Sequence, residues 1–387
     1  MNRLLGFIIF CISTFPIFGQ WNDWKDAKSV SKHILQAQEV GKSYFSQFHE
    51  YDVRGKDIHT SIYRDHTGET PYIYGLDFYY ASGSYFSEES KHKLKNNLIE
   101  VVKKQWEENR AIPSFSWHLE NPYVTGDFGK YMGCTYRYGQ VTPLYPEVHR
   151  YVVNEILTGE KGEECGLGSF QQNNDIKTSY KNPKDWFEAR CKEVAEIINQ
   201  FVDAKGRPIP LIFRLWHECE DSWMWWGSQA VSTDDYKKFF IYTVRTLKKY
   251  APKAQILWAY CPDRYWNDEE EYMSRYPGDK YVDIIGYDDY SIGVKDKTES
   301  VIEKARIVSR SARKHGKIAA LFETANKTKN TSDVFFMDYM LPMLKTSGVN
   351  LGLVQIWTSG QFDNQAQIED RKRFLKSPNI LLLNSYE

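Results

Sequence analysis

Short runs of apolar and β-branched residues recur along this chain of 387 residues, and longer amphipathic stretches separate them. Ile209-Pro-Leu-Ile-Phe213 and Lys317-Ile-Ala-Ala-Leu-Phe322 are of strand length. Ser87–Asn109, Trp186–Phe201, Thr233–Tyr250, Ser300–His315 and Val334–Thr346 carry apolar residues at helical spacing instead. Alternation of this kind builds βαβ units, whose strands lie parallel in one sheet under covering helices. No linker or repeat marks off a second domain.

One apolar run closes on Arg214-Leu-Trp-His217-Glu218, and Trp223, Trp225 and Trp226 follow within eight residues. A carboxyl at the end of a buried strand has its pKa raised by apolar neighbours, which suits a general acid. Indole faces stack on the C–H faces of sugar rings, so dense Trp beside a carboxylate points to carbohydrate. The pair His217-Glu218 also begins a zinc-protease motif, but that motif needs a second His where this chain has Asp221. No metal site and no cofactor are therefore expected.

Cleaving a glycosidic bond takes a second carboxylate on the other side of that bond. Glu323 ends the run Ile318–Phe322 in the same setting as Glu218. A lone strand-end Glu is more often an ion-pair or capping partner than a catalyst. Two on separate strands of one sheet reverse that balance.

With these motifs the chain resembles glycoside hydrolase family 26, best known for retaining β-mannanases. The resemblance rests on Arg214-x-x-His217-Glu218 and the following Trp223-x-Trp225-Trp226. It extends to Ser116-Trp117-His118 with Asn121-Pro122, to Gly286-Tyr-Asp288-Asp-Tyr290, and to Trp357 in Val354-Gln-Ile-Trp357. It implies that Glu218 is the acid/base and Glu323 the nucleophile. Trp117, His118, His217, Trp223, Asp288, Tyr290 and Trp357 would contact substrate or its reacting carboxylates. Within that set Trp223 would stack on the leaving-group side, Trp357 would floor the attacked sugar, and Asp288 would bind a sugar hydroxyl. Arg214, sharing a strand face with Trp216 and Glu218 at even spacing, would keep the nucleophile ionised. Trp225 and Trp226 read as packing residues. Asp77 and Asp263 also end candidate strands, without a role the sequence assigns. The pattern departs at Thr358-Ser359-Gly360, where many members carry Arg or another polar residue and an Asn. The alternatives to mannan are thus β-1,3-xylan and mixed-linkage glucan, or a glycan-binding barrel without catalysis.

Counted against the family's fold, a (β/α)8 TIM barrel, the candidate strands are Tyr44–Phe48, Tyr72–Phe78, Ile112–Trp117, Pro210–Trp216, Ile256–Tyr260, Val282–Gly286, Ile318–Phe322 and Leu351–Trp357. Glu218 would then end the fourth strand and Glu323 the seventh, on the face where such barrels hold their sites. The stretch from Tyr123 to about Lys184 is expected as an extended loop region after the third strand, walling the cleft.

Residues 1–20 read as a secretory signal, with Asn2-Arg3 ahead of the apolar stretch Leu4–Ile12. The remaining residues, 21–387, are expected to form one catalytic domain, secreted or periplasmic and monomeric. Net charge is −1, so nothing in the charge balance favours nucleic acid or an anionic membrane as a partner. The expected partner is β-mannan or a manno-oligosaccharide. Five cysteines lie beyond the signal, an odd number that leaves at least one free thiol in a monomer. Cys134 and Cys165 are candidates for a disulfide, and Cys219 reads as a buried, inert thiol.

Overall fold

A computed structural model describes residues 24–382, apart from 49, 56, 83–86, 120–135, 138–139, 142–145, 161–181, 221–223, 327–333 and 358–363. The signal sequence, Trp223, Cys134, Cys165 and Thr358-Ser359-Gly360 lie outside the described residues.

Eight parallel strands run in barrel order: β1 (Ser43–Gln47), β2 (Ile73–Asp77), β3 (Ile112–Ser116), β4 (Leu211–Arg214), β5 (Ile256–Tyr260), β6 (Ile284–Asp288), β7 (Ile318–Glu323) and β8 (Leu353–Ile356). A two-residue strand, β9 (Ile380–Leu381), pairs with the outer edge of β1. Each of the eight expected strands is present, within two residues of its expected start. β1 pairs with β8, and one parallel bridge from Phe48 to Gly75 closes the cylinder between β1 and β2. Only glycine fits at that seam, because a Cβ on residue 75 would lie 2.6 Å from the Phe48 Cα. The sheet is thus the curled sheet of a (β/α)8 barrel.

The helices follow the expected amphipathic stretches. Glu88–Asn109 is capped by Ser87 and Thr233–Tyr250 by Ser232, each hydroxyl accepting a first-turn N–H. Thr233–Tyr250 buries Tyr236, Phe239, Phe240, Val244 and Leu247 on one face. Val334–Thr346 is less regular, with a π-turn over Phe336–Met340 running into Leu341–Lys345. The expected loop region after β3 is not all loop. It contains a helix, Pro146–Thr158, whose Val152, Val153 and Ile156 are fully buried.

Packing sorts inward from outward residues on each strand. Arg214 of β4 points into the barrel, with Phe213 outward against Trp258 and Trp117. At the end of β6 the ladder slips by one residue between Tyr287 and Asp288, and Asp288 comes opposite Glu323 on β7. That irregularity sets two carboxylates side by side at the C-terminal end of the barrel.

Candidate active site

β4 ends at Arg214, four residues short of Glu218. Trp216 and Glu218 both adopt the left-handed backbone region, at φ 47° and 55°. Two such non-glycine residues in three are costly and survive only where neighbours fix them. Here the Trp216 indole donates to Thr243 and its ring stacks on Phe239, while the Tyr236 hydroxyl donates to the Trp216 carbonyl. The Trp226 indole donates to the His217 carbonyl at 2.8 Å, and the Glu218 N–H donates to the Cys261 carbonyl at 2.8 Å. The even-spacing expectation therefore fails at Trp216, which faces the helix layer. Arg214 and Glu218 reach the same centre, but through the kinked backbone and not along a regular strand.

The same kink turns His217 to the catalytic side. Its ring meets His118 edge-on, with centroids 4.7 Å apart. Burial, then the charge of Arg214 and the neighbouring His118, push the His217 pKa well down, so the ring is neutral. Its Nδ1 has no hydrogen-bond partner among the described residues.

Glu218, Asp288 and Glu323 converge, each offering a carboxylate oxygen within 4.8 Å of the others. A cation belongs in such a cluster, and the Arg214 guanidinium supplies one. Its Nη1 donates to Asp288 at 2.7 Å and its Nη2 donates to Glu323. The Tyr290 hydroxyl donates to the other Glu323 oxygen at 2.6 Å. Glu218 differs from its two neighbours. Its Oε2 is buried without a partner among the described residues. Burial first, then the negative charges of Asp263, Asp288 and Glu323, raise its pKa well above the ordinary carboxylate range against the pull of Arg214.

Around this centre His118 is held by Asp77, whose carboxylate bonds the His118 ring and also accepts from the His118 and Tyr79 N–H groups and the Ser116 hydroxyl. Burial works to raise the Asp77 carboxyl, but His118 and these donors bring it below its usual value. Trp357 lies stacked on Phe48, with centroids 4.6 Å apart, and its ring edge faces His118 at 6.4 Å.

Two expected substrate contacts fall elsewhere. Trp117 is fully buried between the barrel and the helices, stacked on Trp216 with its indole donating to Ser82. Just past the end of β3 it points outward and offers no face to a sugar. Asp288 is fully buried too, and both its oxygens are engaged, one by Arg214 and the other by the Cys261 thiol at 3.2 Å. It braces Arg214 and does not meet a sugar hydroxyl. Trp225 and Trp226 are packing residues, with the Trp225 indole donating to the Leu119 carbonyl. Sequence reasoning missed Asp77 and Cys261. Asp77 carried a signal, a strand-end carboxylate on the strand beside His118; Cys261 carried none.

The fold and the site together define a (β/α)8 barrel with a carboxylate pair, a buried arginine and an aromatic rim at the C-terminal strand ends, the layout of a glycoside hydrolase. Residues 161–341 match the model for glycosyl hydrolase family 26. A mannan endo-1,4-β-mannosidase of Bifidobacterium adolescentis is 34% identical over 143 residues, which are 35% of this chain and 14% of that protein. A mannan endo-1,4-β-mannosidase of Bacillus subtilis is 23% identical over 234 residues, 59% of this chain and 52% of that protein. The chain thus spans about half or less of the length of these relatives. Among solved structures, a family 26 β-mannanase from Bacteroides ovatus superposes with a TM-score of 0.70 at 22% identity, covering 94% of this chain and 97% of that one. A modular endo-β-1,4-mannanase from Cellulomonas fimi gives 0.73 at 19% identity, covering 95% and 78%. These two likenesses establish the fold.

Proposed function

We propose that this protein is a retaining β-glycosidase that hydrolyses β-1,4-mannosidic linkages in mannan or manno-oligosaccharides. The observation that carries the reading is the contrast between two carboxyls within 4.8 Å of each other. Glu323 accepts from a guanidinium and a phenol, as an ionised nucleophile must. Glu218 is buried with an unpartnered oxygen and a raised pKa, as a waiting acid must be. Inverting enzymes need room for a water between the carboxyls, at about 6.5–9.5 Å, so the short separation favours retention.

In the first step Glu323 attacks the anomeric carbon and forms a glycosyl ester, while Glu218 gives its proton to the departing oxygen. In the second step Glu218 takes a proton from water, and the resulting hydroxide displaces Glu323 from the same carbon. The sugar leaves with its configuration retained, and both carboxyls return to their starting states. Tyr290 orients Glu323. On this reading His118 and neutral His217 bond sugar hydroxyls, and Trp357 offers its ring to the attacked sugar. Trp223 is assigned to the leaving-group side on the family motif alone.

Mannan is preferred because the curated relatives named above are mannan endo-1,4-β-mannosidases. The departure at Thr358-Ser359 keeps β-1,3-xylan and mixed-linkage glucan as the second reading. Residues 1–20 are read as an export signal and 21–387 as a single catalytic domain. No helix among the described residues is long and apolar enough to cross a membrane. The test is a product profile over time on mannan and mannohexaose. A ladder of oligosaccharides is the result expected of internal cleavage, and disaccharide from the outset would mean action from chain ends. Hydrolysis of glucan or xylan without mannan would overturn the substrate, and turnover on no β-glycan would overturn the reaction.

A further inference from the structure

A polar cleft of about 810 Å3 opens on the rim between the segments that follow β4 and β5, lined by Glu220, Tyr265, Trp266, Asn267, Glu271 and Arg275 among others. No step of the mechanism above uses it. In the barrel order β4 and β5 lie across from β8 and β1, which lead directly into Trp357 and Phe48. The cleft is therefore on the side of Glu218 away from the platform for the attacked sugar.

Its chemistry is particular. Tyr265 is 58% exposed and is one of two large hydrophobic side chains so exposed among the described residues. It is not loose, because Arg264 lies 4.6 Å from the ring centroid and donates to the Tyr265 hydroxyl at 2.6 Å. Lys304 in turn donates to the Arg264 carbonyl, and the buried Trp266 packs on Tyr272 at 4.5 Å. Arg275, also buried, lines the cleft with its Nη2 bonded to the Val231 carbonyl. Its Nη1 has no partner among the described residues. The carboxylates of Glu220, Asp268 and Glu271 border the same space.

An exposed, rigidly held aromatic ring offers stacking to a sugar face, and surrounding carboxylates accept hydrogen bonds from hydroxyls. The same acidic border repels an anionic ligand. The volume lies within the range of small-molecule sites.

We propose that this cleft is a second sugar-binding site, on the leaving-group side, which takes a neutral hexose unit of the substrate with Tyr265 as its platform. The proposal rests on the glycosidase reading above. The hexose is either a further unit of the backbone or a single-sugar branch, and one experiment separates the two.

The experiment compares kcat/KM on mannohexaose with that on an aryl β-mannobioside, whose leaving group places no sugar in the cleft. It is run on the full chain and on Tyr265→Ala and Asn267→Ala, both exposed positions. In Tyr265→Ala the ratio of long to short substrate is expected to fall about tenfold, the size of one lost aromatic contact. A galactosylated manno-oligosaccharide of matched backbone length identifies the unit. A fall confined to it assigns the cleft to a branch, and an equal fall on the plain chain assigns it to the backbone. An unchanged ratio in both variants, on plain and branched chains alike, overturns the second site while leaving the glycosidase intact. Inactivity of the unaltered protein on every substrate would instead overturn the mannanase reading, and the site with it.

Discussion

Replacing Glu323 by Gln keeps its shape and removes a charge whose oxygen lies within 4.8 Å of Glu218. At an effective dielectric of about 20, two like charges at that distance repel by about 3 kcal/mol. Arg214 already neutralises part of the Glu323 charge, so roughly 1–3 kcal/mol of that repulsion acts on Glu218. Repulsion disfavours the ionised form, so its removal makes Glu218 easier to ionise and its titration midpoint falls. The midpoint stays above that of a solvated carboxyl, because burial and the charges of Asp263 and Asp288 remain. The assay is an NMR titration of the protein with 13C-labelled glutamate carboxyls, the Glu218 signal being assigned by its loss in Glu218→Gln. A midpoint that is unmoved or higher in Glu323→Gln would refute the reasoning, since Glu218 would then owe its protonation to burial and the other charges without Glu323. The same variant loses hydrolysis of every substrate, and its melting temperature separates lost chemistry from lost fold.

Tyr290→Phe deletes the 2.6 Å bond to Glu323, the proposed nucleophile, and is expected to lower kcat/KM by about 10- to 100-fold, with an unchanged melting temperature. Gly75→Ala sets a methyl against the Phe48 backbone and should cost about 1–3 kcal/mol, read as a lower denaturant midpoint with the same slope. Glu50, buried at the end of β1, is raised from 4.5 to about 8, chiefly by burial and against the Ser61 hydroxyl and the charges of Arg371 and Arg64. Its folded pKa exceeds its unfolded one, so its contribution is complete below about 4.5 and is lost as pH rises through about 8. Melting curves of the unaltered protein should fall across that window more steeply than those of Glu50→Gln, and parallel curves would contradict the assignment.

The barrel was legible because each buried strand is a short apolar run and each helix a run of helical spacing, both local properties. The pairing of Glu218 with Glu323 was legible for the same reason, as two runs ending alike. What alternation misjudged lies where the backbone leaves the strand. Beyond Arg214 the left-handed residues 216 and 218 break the two-residue period, so Trp216 turns outward and His217 inward. Trp117 sits one residue past the end of β3, facing the helices, and its neighbour His118 alone reaches the site. Asp288 resembles a sugar ligand in sequence, yet a one-residue slip in the β6–β7 ladder sets it against Arg214. Cys261 was invisible because its contacts, a carbonyl to the Glu218 backbone and a thiol to Asp288, join strands far apart in the chain.

The closing of the barrel has a consequence for how the protein should fail on heating. Every other neighbouring pair of barrel strands shares at least two register pairs among the described residues, whereas β1 and β2 share the single bridge from Phe48 to Gly75. Phe48 is also the ring on which Trp357 rests. The weakest stitch in the wall is thus directly beneath the proposed sugar platform. Thermal breathing of the barrel would tilt that platform before the helices loosen, so activity should fade at temperatures where circular dichroism still reports an intact fold.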